Sequence, residues 1–403
     1  MNIANSLVKE QLGRAASAGC LNCLITVEDF PDMELDANGI CCLCDDFRVR
    51  WDEHQRNGKE RNELLEASIA RVKQEGRGRK YDCVLGISGG VDSSYLAWKI
   101  RQLGLRPLAV HFDNGWNSEL AVKNIESLTN ALGIDLHTHV VDWPEFRDLQ
   151  KAYFRASVID IEVPTDHGIY GTLYKTAIDN NIKFILGGNN IATEGFMPPG
   201  WHFQKLDHIN LLDIHRQFGT NGLTSYPLFD RRLKKKVRAA GVEMLEILDL
   251  IDYSRDDAVS TITKQFGWRD YGTKHGESTF TKFYQEYVLP TKFGVRKRKA
   301  HLSTLINTGE LTRDEAVRLM ESHVYSESDL VKEKEYVLKK LRFSEAEFDQ
   351  IMNTPPADHR AFETEGSLFY EYRFLLPFRL TWEKTRTILG LNVRTRSTYF
   401  DNR

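Results

Sequence analysis

The sequence predicts an α/β protein. A doubly wound, mostly parallel sheet is preceded by a small cysteine-bearing module and followed by a mostly helical region. Three observations lead there. From Tyr81 to about Ile251, short apolar runs alternate with amphipathic stretches, as strands and crossover helices do in parallel sheets. Five of the six cysteines crowd between Cys20 and Cys44. Beyond Ile251 the apolar runs stop, and helix-start signals follow one another.

At 403 residues, with 41% hydrophobic and 28% charged residues, the chain has the make-up of a soluble globular protein of two or three domains. The boundaries expected are 1–60 for the cysteine module, 61–252 for the sheet domain and 253–403 for the helical domain. A net charge of −3 argues against a chain built as a whole to hold nucleic acid. No apolar run approaches a membrane span, and Met1–Gly19 has no apolar signal core. A cytoplasmic location without membrane contact is therefore expected.

The cysteine module comes first. Cys20-Leu-Asn-Cys23 and Cys41-Cys-Leu-Cys44 are two Cys-x2-Cys knuckles separated by seventeen residues, Leu24 to Ile40, a zinc-ribbon-like spacing. The thiolates of Cys20, Cys23, Cys41 and Cys44 suit a tetrahedral zinc ion, structural because protein fills every position. An iron–sulfur cluster takes the same ligands, and free cysteines in a loop are the plain alternative. Cys42 is the spare thiol, and Cys83 reads as a buried apolar residue opening the first strand.

Residues 45–80 read as helical and charged, ending in the link Gly76-Arg-Gly-Arg-Lys80. Strands are expected at Cys83–Ile87, Pro107–Phe112, Leu136–Val141 and Phe184–Leu186, with helices at Ser93–Leu103, Ser118–Leu132 and Tyr170–Asn180 between them. In the last third, Ser254-Arg-Asp-Asp257, Thr312-Arg-Asp-Glu315 and Ser344-Glu-Ala-Glu347 each read as a helix start with a capping box. Gly267 and Pro355-Pro356 read as stops.

The most informative stretch is Val84-Leu-Gly-Ile-Ser-Gly-Gly-Val-Asp-Ser-Ser, a buried strand, a glycine turn and a helix start. Gly89 and Gly90 let the backbone turn sharply and approach a ligand, and the helix start offers unpaired N–H groups and a positive dipole end. Ser88, Gly89, Gly90, Asp92, Ser93 and Ser94 together make an anion site fit for the phosphates of ATP; the bland reading is an ordinary strand–turn–helix connection. The string Ser88-Gly-Gly-Val-Asp-Ser93 resembles the PP-loop of N-type ATP pyrophosphatases, which cleave ATP to AMP and pyrophosphate. Asp92, Asp113, Asp142 and Gly187–Asn189 follow strands, so they should gather on the edge where such sheets bind ligands. Asp92 suits Mg2+, directly or through water. Asp113 fits the nucleoside side of an ATP site and equally a helix cap or turn.

Further segments narrow the family. Gly187-Gly-Asn-Asn-Ile-Ala-Thr-Glu-Gly195, Trp268-Arg-Asp-Tyr-Gly-Thr-Lys-His-Gly-Glu-Ser278 and Leu289-Pro-Thr-Lys-Phe-Gly-Val-Arg-Lys-Arg-Lys-Ala-His-Leu-Ser303, with the knuckles and the PP-loop, resemble the N-acetyl sugar amidotransferase family. The resemblance spans residues 18–355. It implies a bacterial surface-polysaccharide pathway, lipopolysaccharide O-antigen among them. The reaction it implies is an ATP-dependent, AMP-forming amidination of an N-acetyl group on a nucleotide-linked amino sugar, with a UDP-linked acetamido uronic acid as the expected acceptor. It also implies ammonia from a separate glutaminase subunit resembling that of imidazole glycerol phosphate synthase, often with its cyclase-like partner. This sequence has no glutaminase nucleophile: it does not start Met-Cys, and Cys83 is its one cysteine outside the cluster.

For that chemistry, Gly187 and Gly188 join the ATP site, with Asn189 and Asn190 beside the substrate. Lys274 and His275 are candidates for charge neutralisation and proton transfer, or a solvated pair in a loop. The basic run Lys292, Arg296, Lys297, Arg298 and Lys299 offers phosphate contacts, Arg298 and Lys299 foremost, or a solvated helix face. Asp166, with Tyr170, Tyr174 and Lys175 on the helix that follows, fits a sugar pocket, or Thr165 or Asp166 is a simple helix cap. Trp201, His202 and Lys205 fit a cover over the substrate, or ordinary packing. Two other functions compete. Arg231-Arg-Leu-Lys-Lys-Lys-Val-Arg238 suits a tRNA-modifying PP-loop enzyme. A catalytically silent ATP-binding scaffold is the third reading.

Overall fold

The computed structural model describes residues 19–365, apart from 57, 273–275 and 323. Lys274 and His275 therefore lie outside the described residues. The chain opens with a turn-rich segment carrying the cysteines, then helices α1 (Cys42–Arg56) and α2 (Gly58–Glu75). The alternating part follows: β1 (Cys83–Gly86), α3 (Val91–Gln102), β2 (Pro107–Asp113), α4 (Glu119–Leu132) and β3 (Asp135–Val140). It continues with α5 (Trp143–Ala156), α6 (Val163–Asp179), β4 (Phe184–Gly187), α7 (Ile191–Glu194), α8 (His208–Phe218), α9 (Arg231–Ala240) and β5 (Glu243–Glu246). Beyond it come α10 (Arg255–Phe266), α11 (Thr279–Phe283), a π-helix (Tyr284–Phe293), α12 (Lys297–Thr308), α13 (Arg313–Glu321), α14 (Glu327–Leu341) and α15 (Glu345–Asn353).

The sheet is parallel throughout, in the order β3-β2-β1-β4-β5. Successive residues of a strand face opposite sides, and the packing follows that rule. Val84, Leu108, Val110 and Ile185 meet Leu173 and Ala177 of α6 on one face. Cys83, Leu85 and Leu186 meet Leu96 and Ile100 of α3 and Leu128 of α4 on the other. The sheet is thus doubly wound, as expected. Chain order reverses between β1 and β4, so their carboxyl ends flank the crevice where ligands of such sheets sit.

β5 was not expected from the sequence. Its four residues Glu243-Met-Leu-Glu form an edge strand that is nowhere fully buried, so no apolar run marks it. The start at Ser254 also differs: Ser254 is the N-cap of α10 but makes no side-chain capping bond. At Thr312 the full capping box forms. Ser344 accepts from the Glu347 N–H at 3.1 Å, and Gly267 ends α10 in the left-handed conformation (φ +65°).

A third core joins the cysteine module to the helical region. Cys23, Cys41, Cys44 and Phe47 share it with Phe146 and Phe154 of α5, Phe280 and Phe283 of α11, and Phe348 of α15. Fully burying an apolar side chain such as Phe contributes about 1.5–3 kcal/mol, so these aromatic contacts fix the helical region to the module. Among the described residues no helix is long and apolar enough to cross a membrane.

Candidate functional site

The crevice at the β1 and β4 ends opens into a cavity of about 360 Å³. Its first wall is the Ser88–Ser93 turn. Gly89 has φ +84°, a conformation glycine takes without a Cβ clash. Its carbonyl accepts from Trp268 Nε1 at 2.9 Å and from the Tyr271 hydroxyl at 2.8 Å. Ser88 Oγ lies 3.2 Å from Ser93 Oγ and accepts the Gly90 N–H at 3.2 Å, while Ser93 Oγ accepts the Ser88 N–H at 3.2 Å. The N-cap of α3 is Gly90, which brings no capping side chain. The first-turn N–H groups of a twelve-residue helix are left for a ligand, with the positive dipole end behind them.

The second wall is the turn after β4. A Cβ on Gly188 would stand 3.1 Å from Ser93 N and 3.3 Å from Ser93 Cα, so only glycine lets this turn lie against the start of α3 without pushing. Gly187, Gly188 and Asn189 line the cavity. Asn190 instead caps α7, accepting the Thr193 N–H at 2.9 Å. Asp92 lines the cavity; it accepts from the Tyr253 hydroxyl, and from Thr193 Oγ1 at 3.5 Å. Glu194 and Glu277 line the same space, and Glu277 Oε1 is 3.2 Å from the Cβ position of Gly90. Carboxylates this close to an anion-binding turn suit a divalent cation shared with the anion.

The far wall is charged and buried. Asp160 is fully buried, and it accepts from Lys205 Nζ at 2.8 and 2.6 Å and from the Phe203 N–H at 2.8 Å. Burial works against its charge, but Lys205 and Lys297 outweigh that and hold its carboxyl below the usual range. Lys205 also pairs with Asp166 at 2.8 Å. Lys297, the first residue of α12, is 7% exposed and lines the cavity. No ion pair holds it among the described residues; its ammonium sits 5.4 Å over the Tyr284 ring, and burial pushes its pKa down. Glu162 is 6% exposed. Burial first, then the Asp166 charge, pushes its carboxyl up to about 7, against the pull of the Thr281 hydroxyl, Lys205 and Lys297.

Of the residues singled out in the sequence, Ser88, Gly90, Asp92, Ser93, Gly187, Gly188, Asn189, Asp166 and Lys205 meet in this cavity. Others lie elsewhere. Gly89 shapes the turn from behind, and Ser94 is buried in α3. Asp113 does not line the cavity; its carboxylate accepts from the Gly115 N–H at 2.9 Å and Asn117 Nδ2 at 3.2 Å, the turn role it fitted equally. Tyr174 stacks on Phe229, ring centroids 4.8 Å apart, and Lys175 pairs with Asp179 on the surface. The basic run divides by helical position. Lys297 faces the cavity, Arg298 binds Ser322 O at 2.8 Å in solvent, and Lys299 pairs with Asp29 of the cysteine module. Trp201 packs rather than covers, donating Nε1 to Asp29 O at 3.1 Å. Glu162, Glu277 and Arg255 were missed, with no local pattern to mark them as site residues. Tyr170, one turn after Asp166 on the helix read as fitting a sugar pocket, lines the cavity.

The four knuckle cysteines are buried and their sulfurs all lie within 4.8 Å of one another. Cys20 and Cys44 are 3.8 Å apart, Cys23 and Cys41 3.7 Å. A tetrahedral ion with Zn–S bonds of about 2.3 Å needs sulfur–sulfur edges of about 3.8 Å, so the set fits a single ion. Thiolates bound to separate irons of a cluster would have to stand apart by the span of the cluster. Backbone amides of Asn22, Cys23 and Cys41 point at Cys20 Sγ from 3.4, 3.4 and 3.2 Å. Asn307 of α12 reaches Cys44 Sγ at 3.5 Å, and Ser303 of α12 accepts the Leu24 N–H at 3.1 Å. Cys42 stands outside the set.

Residues 277–375 match the family model "LPS biosynthesis protein WbpG-like, C-terminal domain". That stretch contains α11, the π-helix and α12, hence Thr281 and Lys297 of the cavity wall. No curated protein matches the chain. Among solved structures, NMN synthetase from Francisella tularensis aligns at 15% identity over 67% of this chain and 98% of that one, with a TM-score of 0.29. The NH3-dependent NAD synthetase from Campylobacter jejuni aligns at 11% identity over 70% and 94%, TM-score 0.28. The U34-tRNA thiolase NcsA from Methanococcus maripaludis, solved with its 4Fe-4S cluster, aligns at 14% over 66% and 82%, TM-score 0.29.

Proposed function

We infer that the chain is an ATP-dependent, AMP-forming amidotransferase. It would convert the N-acetyl group of a nucleotide-linked amino sugar to an acetamidino group in lipopolysaccharide biosynthesis. One observation carries the reading: a single cavity joins an uncapped helix start behind a Ser-Gly-Gly turn to a buried wall of Lys205, Lys297 and Glu162. The cavity thus has a phosphate end and a second, charged end for an acceptor. The match of residues 277–375 to a lipopolysaccharide-biosynthesis domain supports the pathway, and the sequence resemblance supports the acetamido acceptor, a UDP-linked uronic acid foremost.

An amide oxygen is a poor leaving group, and transfer of AMP to it makes it a good one. The N–H groups at the start of α3, with Ser88 and Ser93, would hold the pyrophosphate portion as its charge grows. Asp92, with Glu194 and Glu277 near it, would hold magnesium, whose charge offsets that of the phosphates. Lys205, fixed by Asp160 and Asp166, and Lys297 would attract the acceptor's anionic group. The hydrophobic flank of Ile169, Tyr170, Leu173 and Met197 would exclude water that competes with ammonia. Ammonia would come from a partner glutaminase. Zinc at Cys20, Cys23, Cys41 and Cys44 would be structural, bracing α12 from behind.

The test is a mass-spectrometric assay with ATP, magnesium, ammonium and a panel of nucleotide-linked N-acetyl sugars that includes uronic acids. AMP together with a sugar in which N–H has replaced oxygen is the expected result. ADP in place of AMP would overturn the reading.

A further inference from the structure

Glu162 stands at the N-cap of α6, where a carboxylate usually bonds the helix's own N–H groups. It makes no such bond. Its side chain turns into the cavity instead. Oε2 accepts the Thr281 hydroxyl at 2.9 Å, and Oε1 is buried with no hydrogen-bond partner among the described residues. A buried, unsatisfied carboxylate oxygen costs free energy unless a ligand's donor meets it. The charged and titratable groups facing it are Asp166 on its own helix, Lys205 from the segment before α8, Lys297 from α12 and Tyr284 from the π-helix. Asp160 is neutralised by Lys205.

The reaction inferred above creates a need for such a group. The acetamido nitrogen and ammonia together bring one more N–H proton than the amidinium product keeps. As nitrogen bonds to the activated carbon, the carbon–oxygen bond to AMP breaks and AMP leaves with its electron pair. The surplus proton must go to a base within reach of the reacting nitrogen. Asp92 accepts the Tyr253 hydroxyl, and Asp160 and Asp166 are bound by Lys205. We propose that Glu162 is the catalytic base that takes this proton, its Oε1 meeting the N–H of the reacting nitrogen while Thr281 holds Oε2. The assignment rests on the amidotransferase reading. With a pKa near 7, the group would accept a proton and release it again near neutral pH.

The experiment compares wild type, Glu162→Gln and Glu162→Asp, with free ammonia held constant across a pH series. Product formation and the affinity for ATP are both measured. In the wild type, kcat should rise as pH climbs through about 7 and then level off. Glu162→Gln should bind ATP as the wild type does, lose product formation on the order of a hundredfold or more, and lose the rise. Glu162→Asp should recover part of the rate, with the rise moved to lower pH. The proposal is overturned if Glu162→Gln keeps the wild-type rate, or loses rate while keeping the same pH rise. Should the Gln variant fail to bind ATP, Glu162→Asp decides: an unmoved rise overturns the proposal. A wild type that makes no AMP from any acceptor fails the amidotransferase reading itself, before any variant is compared.

Discussion

Cys44→Ser removes one of four thiols from a set in which two sulfur–sulfur edges, 3.7 and 3.8 Å, match a single tetrahedral ion. Structural zinc sites are worth about 10–16 kcal/mol, so each of four thiolates carries about 2.5–4 kcal/mol. At about 1.4 kcal/mol per decade, the variant should hold metal two to three orders of magnitude more weakly. The consequence should reach the cavity. Asn307, which contacts Cys44 Sγ, and Ser303, which binds Leu24 N–H, sit on the helix that begins with Lys297. The assay is metal content per chain after dialysis against a buffered chelator, followed by denaturant unfolding and ATP binding. Wild type should keep one ion, Cys44→Ser should lose it and unfold earlier, and Cys42→Ser should match wild type. The reasoning is refuted if Cys42→Ser loses as much metal as Cys44→Ser, or if the wild type carries several irons per chain.

Asp160→Asn leaves Lys205 half-paired in a buried site and should cost about 3–5 kcal/mol at pH 7 by urea unfolding. Because the Asp160 pKa is depressed in the fold, its contribution is present above the unfolded value of about 3.9 and fades as pH falls below it; the gap from wild type should shrink in acid. Gly188→Ala places a Cβ 3.1 Å from Ser93 N and should weaken ATP binding about tenfold by displacing the start of α3, with little change in unfolding midpoint. Lys297→Met removes a buried cation that has no ion pair among the described residues, so stability should hold or rise while the KM for the sugar nucleotide increases; Arg298→Ala, on the solvent side of the same helix, should leave that KM unchanged.

Signals that are local in the chain were readable from it. The Ser88–Ser93 turn, four of the five strands and the cysteine spacing each depend on residues close in sequence, where backbone conformation and periodicity act. Thr312 forms its capping box with Glu315, three residues away. Ser254 carries the same pattern, yet its side chain makes no capping bond. β5 was invisible because an edge strand buries too little to need an apolar run.

A parallel doubly wound sheet, a phosphate-type turn at the end of its first strand and a four-cysteine cluster fit for a metal ion were all legible along the chain. All three follow from periodicity, glycine freedom and ligand spacing. Which charges face the cavity was settled by long-range packing. Lys297 rather than Arg298 or Lys299 points inward, Asp113 serves a turn, and Glu162 leaves its own helix to stand beside Thr281, 119 residues away in the chain. The physical reason is that desolvation and pairing act between residues distant in sequence. A charge's role depends on which low-dielectric wall and which counter-charge the fold brings to it, and no local pattern encodes either.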